Sequence, residues 1–166
     1  MEELLPLLHP GSVISLEPQL VPFRGTFDHT LDAKSRLTVP ARYRSALADG
    51  VVLAMPLDLE PCVGVWRPNE YDEYVREQID ALPRLSPKRP NLERFFYGNS
   101  LEAELDGAGR VMIPSFLAEH ASLQKEVVVV GAGERMELWN KAAWSGHRPE
   151  LMTSVAEVTA RVDAGT

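Results

Sequence analysis

Two aspartates each stand four residues ahead of an arginine: Asp32 and Arg36 in LDAKSRLTVP (residues 31–40), and Asp106 and Arg110 in LDGAGRVMIP (residues 105–114). Across a tight turn, this spacing lets a carboxylate accept hydrogen bonds from backbone N–H groups of the turn. It also lets the carboxylate hold the guanidinium in a two-pronged ion pair. The pairs either fasten two turns, with Asp32 and Asp106 in a structural role, or they also present Arg36 and Arg110 to an anionic partner. The residues alone leave both readings open.

Charge placement bears on the second reading. The chain of 166 residues carries a net charge of −7, which taken whole argues against a polyanionic partner. The charge is segregated, however. From Arg24 to Arg44 the bases Arg24, Lys34, Arg36, Arg42 and Arg44 outweigh Asp28 and Asp32, a local excess of +3. From Asp49 to Asp80 eight acids face two bases, a local excess of −6. A basic face on an otherwise acidic chain suits contact with phosphates, which supply much of nucleic-acid affinity. A solvated charged face is the alternative.

Other chemistry has little support. His9, His29, His120 and His147 show no metal-ligand spacing and Cys62 has no second cysteine, so no metal site is expected. One cysteine also excludes an intrachain disulfide and fits a reducing compartment. No phosphate-binding loop ends in Lys-Ser/Thr, and no nucleophile-elbow pattern occurs. No catalytic residue is assigned. No apolar run approaches the roughly 18 residues of a membrane span. The N-terminus has Glu2 and Glu3 where a secretory leader carries bases, so a cytoplasmic protein is expected.

The elements that must position the two Asp–Arg pairs read as follows. Residues 1–22, with four prolines, form an extended N-terminal arm. FRGTFDH and RLTV alternate in polarity about a turn-rich link, a candidate β-hairpin. Pro40 opens a short helix, and VVLAM and CVGVW are strands. Residues 68–82 form a helix capped by Asn69, with Tyr71, Tyr74, Val75, Ile79 and Leu82 on its apolar face. Three prolines end it and begin a linker with a second short helix, NLERFFY.

The same order then recurs. YGNSLEAEL, LDGAGRVMIP, SFLAEHASL, EVVVVG and MELWN repeat the first half, Asn140 caps a helix through KAAW, and Leu151, Val155, Val158 and Val162 mark a last amphipathic helix. Trp66, Trp139 and Trp144 are core or contact residues. The expected fold is α+β, mostly β with short helices, built as an internal duplication. The units are 23–82 and 99–145, joined by 83–98 and followed by a helical tail, 146–166. A unit of about 45 residues cannot bury a sizeable core, so each copy supplies what the other lacks.

FRGTFDHTLDAKSRLTVPARYR, LDGAGRVMIP and EVVVVGAGERMELWNKAAW together resemble the MraZ family of bacterial transcriptional regulators over residues 23–144. The two correctly spaced Asp-x-x-x-Arg copies make the likeness specific. The resemblance implies two tandem AbrB-like half-units in a swapped-hairpin β-barrel with flanking helices, and an octamer-like homo-oligomeric ring. It also implies binding of double-stranded DNA at repeated sites upstream of the division and cell-wall gene cluster, with repression there, and a nucleoid-associated location. Arg36 and Arg110 match the signature arginines and Lys34 the preceding base, while Arg24, Arg42 and Arg44 are secondary phosphate candidates. Ser35 replaces the usual Gly of the first copy and Ala108 a commonly polar residue of the second, which gives the first turn more weight in DNA contact. No cofactor and no small-molecule substrate are implied. Two rival readings are a ring-forming protein-interaction module using the acidic helix, and a small hydrolase using carboxylate pairs.

Overall fold

The computed structural model describes residues 20–165, so the expected N-terminal arm lies outside the described residues up to position 19. Among the described residues eight strands form: β1 (Thr26–Thr30), β2 (Arg36–Thr38), β3 (Val51–Ala54), β4 (Cys62–Trp66), β5 (Ser100–Ala103), β6 (Arg110–Met112), β7 (Glu126–Gly131) and β8 (Arg135–Asn140). Four helices accompany them: α1 (Pro68–Asp80), α2 (Arg89–Gly98), α3 (Ser115–His120) and α4 (Lys141–Ala164). The class is α+β, and all strand pairs are antiparallel.

Six strands form one sheet in the order β1-β7-β8-β4-β3-β5, and β2 pairs with β6 in a two-stranded ribbon. Exchanging the first four strands for the last four turns each order into its own reverse, so the two units are related by a pseudo-two-fold axis between β4 and β8. The exchange is interlocked. β1 leaves its own unit to pair with β7 (Phe27 opposite Val129), and β5 pairs with β3 (Leu101 opposite Leu53).

The hairpin expected around LDAKS therefore does not close on itself. The chain turns there, with Asp32 N donating to Arg36 O at 3.1 Å and a single bridge between Leu31 and Leu37. Its two arms then part, one into the sheet and one into the ribbon. The reason lies in burial. Leu37 and Val111, the central residues of β2 and β6, are 0% and 1% exposed, and only the layer between ribbon and sheet can cover both. Each such residue contributes about 1.5–3 kcal/mol on burial, more than a three-residue strand gains by pairing locally.

β3 and β4 are buried on both faces, which explains why VVLAM and CVGVW read as continuous apolar runs. Val51, Leu53, Val63 and Val65 face the ribbon side; Val52, Ala54 and Trp66 face a second cluster with Tyr71, Val75 and Ile79 of α1 and Phe96 of α2. Two local expectations need correction. The segment after Pro40 forms two 3-10 turns, Ala41–Tyr43 and Ser45–Leu47, because so short a run stays with i→i+3 bonds. Asn69 lies inside α1 rather than capping it: Pro68 takes the first helical position, where a missing N–H costs nothing.

Asn140 does cap α4, accepting from Ala143 N at 3.1 Å. The two helices expected after it are one helix of 24 residues that continues through Pro149. Its start packs against β8, where Trp139 lies 5.4 Å from Trp144 and 4.6 Å from His147, ring to ring. Leu151, Val155, Val158 and Val162 do share a face, but all are exposed. No helix among the described residues is long and apolar enough to cross a membrane.

Candidate nucleic-acid interface

The two Asp–Arg turns are built alike. Asp32 Oδ1 accepts from the N–H groups of Lys34 and Arg36, both at 2.9 Å, and its Oδ2 accepts from Arg36 Nε at 2.6 Å. Asp106 Oδ1 accepts from Ala108 and Arg110 N–H, both at 2.9 Å, and its Oδ2 from Arg110 Nε at 2.8 Å. The expected two-pronged ion pair is thus single-pronged. One carboxylate oxygen is spent on the backbone, so only the other reaches the guanidinium. The consequence is functional as well as structural: Asp holds Nε, and both terminal nitrogens of Arg36 and Arg110 keep their N–H donors without a partner among the described residues. Fastening the turn and presenting the arginine are compatible.

The backbone N–H of Arg36 is the largest cause holding the Asp32 carboxyl below its ordinary value, and that of Arg110 does the same for Asp106. A carboxylate with a depressed folded-state value stabilises the fold above its unfolded value of 3.8 and loses that contribution as pH falls through the lower folded value. Both turns are therefore fully fastened at neutral pH. A carbon-detected NMR titration is expected to place both midpoints below 3.8, and a midpoint at or above it for either would contradict the bonding described.

The αL position of each turn is taken by Ser35 (φ 56°) and Gly109 (φ 74°). An L-residue there costs about 1–2 kcal/mol, partly offset because glycine loses more freedom on folding. Ser35→Gly is expected to raise stability by about 0.5–1 kcal/mol, read as a shift of the denaturation midpoint; a loss of stability would show the turn is not strained at Ser35. Gly109 has a further role: a Cβ there would sit 2.4 Å from Arg44 Nε. Arg44, whose Nε donates to Val39 O at 3.0 Å, therefore lies over the second turn. The turn that has Ala108 in place of a lysine receives its extra cation from the other unit. Sequence position groups Arg44 with Arg42, and only the β2–β6 pairing reveals the neighbour.

The ribbon brings the two turns together. Arg36 pairs opposite Met112 and Thr38 opposite Arg110. Ile113 N donating to Ser35 O and Val39 N to Gly109 O, both at 2.9 Å, extend the pairing at each end. Leu37 and Val111 point into the core, so alternation sends Arg36, Thr38, Arg110 and Met112 to the outer face. Arg36 and Arg110 are diagonal neighbours, for which backbone spacing is about 7–8 Å. Lys34 lies on the first turn, Arg44 on the second. Arg24 and Arg42 are elsewhere: Arg24 precedes β1, at the end away from the first turn, and both line a cleft with Tyr43 and Arg67.

The comparisons with known proteins match the two units in turn. The "MraZ protein" family model matches residues 23–88 and again residues 96–163. The chain belongs to the MraZ family. Curated relatives agree: the transcriptional regulator MraZ of Hydrogenovibrio crunogenus is 38% identical over 137 residues, covering 81% of this chain and 90% of that protein. The transcriptional regulator MraZ of Heliobacterium modesticaldum is 36% identical over 140 residues, covering 84% and 96%. That of Halothermothrix orenii is 36% identical over 141 residues, covering 85% and 96%. The family resemblance drawn from the sequence therefore holds over most of the chain.

Proposed function

We propose that this protein is a non-enzymatic transcriptional regulator that binds double-stranded DNA through the outer face of the β2–β6 ribbon. The observation that carries the reading is the pair of arginines fixed at Nε and free at their terminal nitrogens on one exposed ribbon. A two-stranded ribbon fits the B-DNA major groove, where arginine reads guanine edges. Lys34, Arg36, Arg44 and Arg110 exceed Asp32 and Asp106 there, so the face keeps a net positive charge while the acidic residues of α1 lie on another surface. Family membership supports the same reading, since the relatives are named transcriptional regulators.

In finer detail, the protein acts in the cytoplasm, at the nucleoid, on repeated sites upstream of the division and cell-wall gene cluster, which it represses. Residues 23–82 and 99–145 serve as the two half-units, and a homo-oligomeric ring sets several ribbons side by side, so that weak contacts combine by avidity. Arg24 and Arg42 line the cleft with Tyr43 and Arg67 and serve at most as secondary phosphate contacts, and the ribbon reading does not depend on them.

The test is a fluorescence-anisotropy titration of the DNA immediately upstream of this protein's own gene against a shuffled duplex, at two salt concentrations. Specific binding that weakens steeply with salt is expected, because phosphate contacts release counterions. Folded protein that ignores that DNA, or binds both duplexes alike, would move the protein-interaction reading to first place.

A further inference from the structure

A cleft of about 630 Å³ opens beside the first described residues, between Val21 and Pro22, the 3-10 turn at Tyr43 and the buried Arg67 that precedes α1. Its lining is mostly apolar, and among the described residues its only charged side chains are Arg24, Arg42 and Arg67, with no carboxylate. Arg67 is 7% exposed, with Nη2 donating to Val21 O at 3.2 Å and its guanidinium 4.4 Å from the centre of the Phe23 ring. The nearest acid, Glu70, lies 3.5 Å from Nε without a hydrogen bond, and that buried Nε has no hydrogen-bond partner among the described residues. Arg24 and Arg42 have no side-chain acceptor among the described residues. Arg42 is held by rings, 6.0 Å from Phe27 and 5.9 Å from Tyr43, and the Tyr43 hydroxyl bonds the backbone of Arg24.

Three guanidiniums line an apolar hollow, two of them (Arg42 and Arg67) set against aromatic rings, and together they form an anion site. We propose that this cleft binds a small amphipathic anion, an apolar body bearing one carboxylate or phosphate monoester. The volume is that of a small-ligand pocket, and the few convergent charges over apolar walls are what orients such a ligand. A DNA backbone needs cations on an open face and gains nothing from an apolar floor, so concavity favours the small anion over nucleic acid. The charge also favours an anion over a neutral ligand: Arg67 has Glu70 beside it, but Arg24 and Arg42 have no carboxylate partner among the described residues.

Isothermal titration of the full chain with octyl phosphate, octanoate, octanol and inorganic phosphate, at fixed ionic strength and below micelle concentrations, tests this. Both amphipathic anions are expected to bind one to one. Octanol and inorganic phosphate are expected to bind at least ten-fold more weakly. The exposed double variant Arg24→Gln/Arg42→Gln, with folding checked by circular dichroism, is expected to weaken the anions at least ten-fold and leave octanol unchanged. Octanol binding as well as the anions, no binding of either anion, or anion binding unchanged in the folded double variant would each overturn the proposal. Two further outcomes would do so as well: a double variant that loses promoter DNA as fully as Arg36→Ala while wild type takes up no anion, and protein that sediments with phosphatidylglycerol vesicles yet binds no monomeric anion.

Discussion

Arg36→Ala is expected to lower affinity for the upstream DNA by about 10- to 100-fold at physiological salt while the protein stays folded. The size follows from one well-placed arginine contact, worth about 1–3 kcal/mol of discrimination. Folding should survive because the two backbone bonds from Lys34 and Arg36 N–H to Asp32 Oδ1 do not need the arginine side chain. Arg110→Ala is expected to cost less, about 5- to 20-fold on the same scale, because Ala108 stands where the first turn has Lys34 and Arg44 keeps a cation over Gly109. Arg44→Ala should then couple with Arg110→Ala in a double-mutant cycle and add independently to Arg36→Ala, as groups sharing a site do and separated groups do not. Lys34→Ala should weaken all sequences alike and flatten the salt dependence by about one counterion. Folded Arg36→Ala protein that binds as well as wild type would reduce the Asp32–Arg36 pair to a turn fastener.

Gly131→Ala is expected to destabilise the protein by about 3 kcal/mol or more, at the upper end for overpacking. A Cβ at Gly131 would lie 2.5 Å from Arg24 N and 2.6 Å from Arg24 Cα, both backbone atoms that no rotamer change can move. Gly131 N donates to Gly25 O at 2.7 Å, and Phe23 and Gly133 exchange bonds at 2.7 and 3.1 Å just beyond. Pushing the two strands apart there would also unseat Phe23, which is 1% exposed. For a chain of this size such a loss corresponds to a fall in Tm of roughly 6–12 °C, read by calorimetry. A Tm within 2 °C of wild type would show that the entry of β1 can shift without loss.

The duplication, the strand content and the family were readable from residues whose spacing repeats: the paired LDxxxR phrases, the valine runs and the tryptophans at the ends of β4 and β8. The 3.6-residue period of Tyr71, Val75 and Ile79 predicted α1 because its burial is one-sided. What periodicity could not supply was pairing at a distance, for which only the family resemblance, with its swapped hairpins, gave a lead. Periodicity says that RLTV is a strand, but its partner is 74 positions away in the corresponding RVMI, and nothing local distinguishes that from a hairpin. The same blindness hid Arg44 on the second turn and Arg67 beside Val21, since each meets its neighbour only after the units interlock. The α4 stripe failed differently. Its spacing is helical, as expected, but spacing carries no information on whether a neighbour exists to bury it.

The interlocked order of strands sets a timetable for synthesis. β1 is complete when Thr30 leaves the ribosome, but its partner β7 begins at Glu126, about a hundred residues later. At about 5–20 residues per second, that is roughly 5–20 s during which the first unit has its Leu37 and Val63 uncovered and an unpaired strand edge. A nascent chain in that interval resembles a half-closed clasp, open to the second half of a neighbouring chain until its own is made. Polysomes carrying this message are therefore where exchanged dimers of the protein would originate, and slowing translation between Gly98 and Glu126 would enrich them.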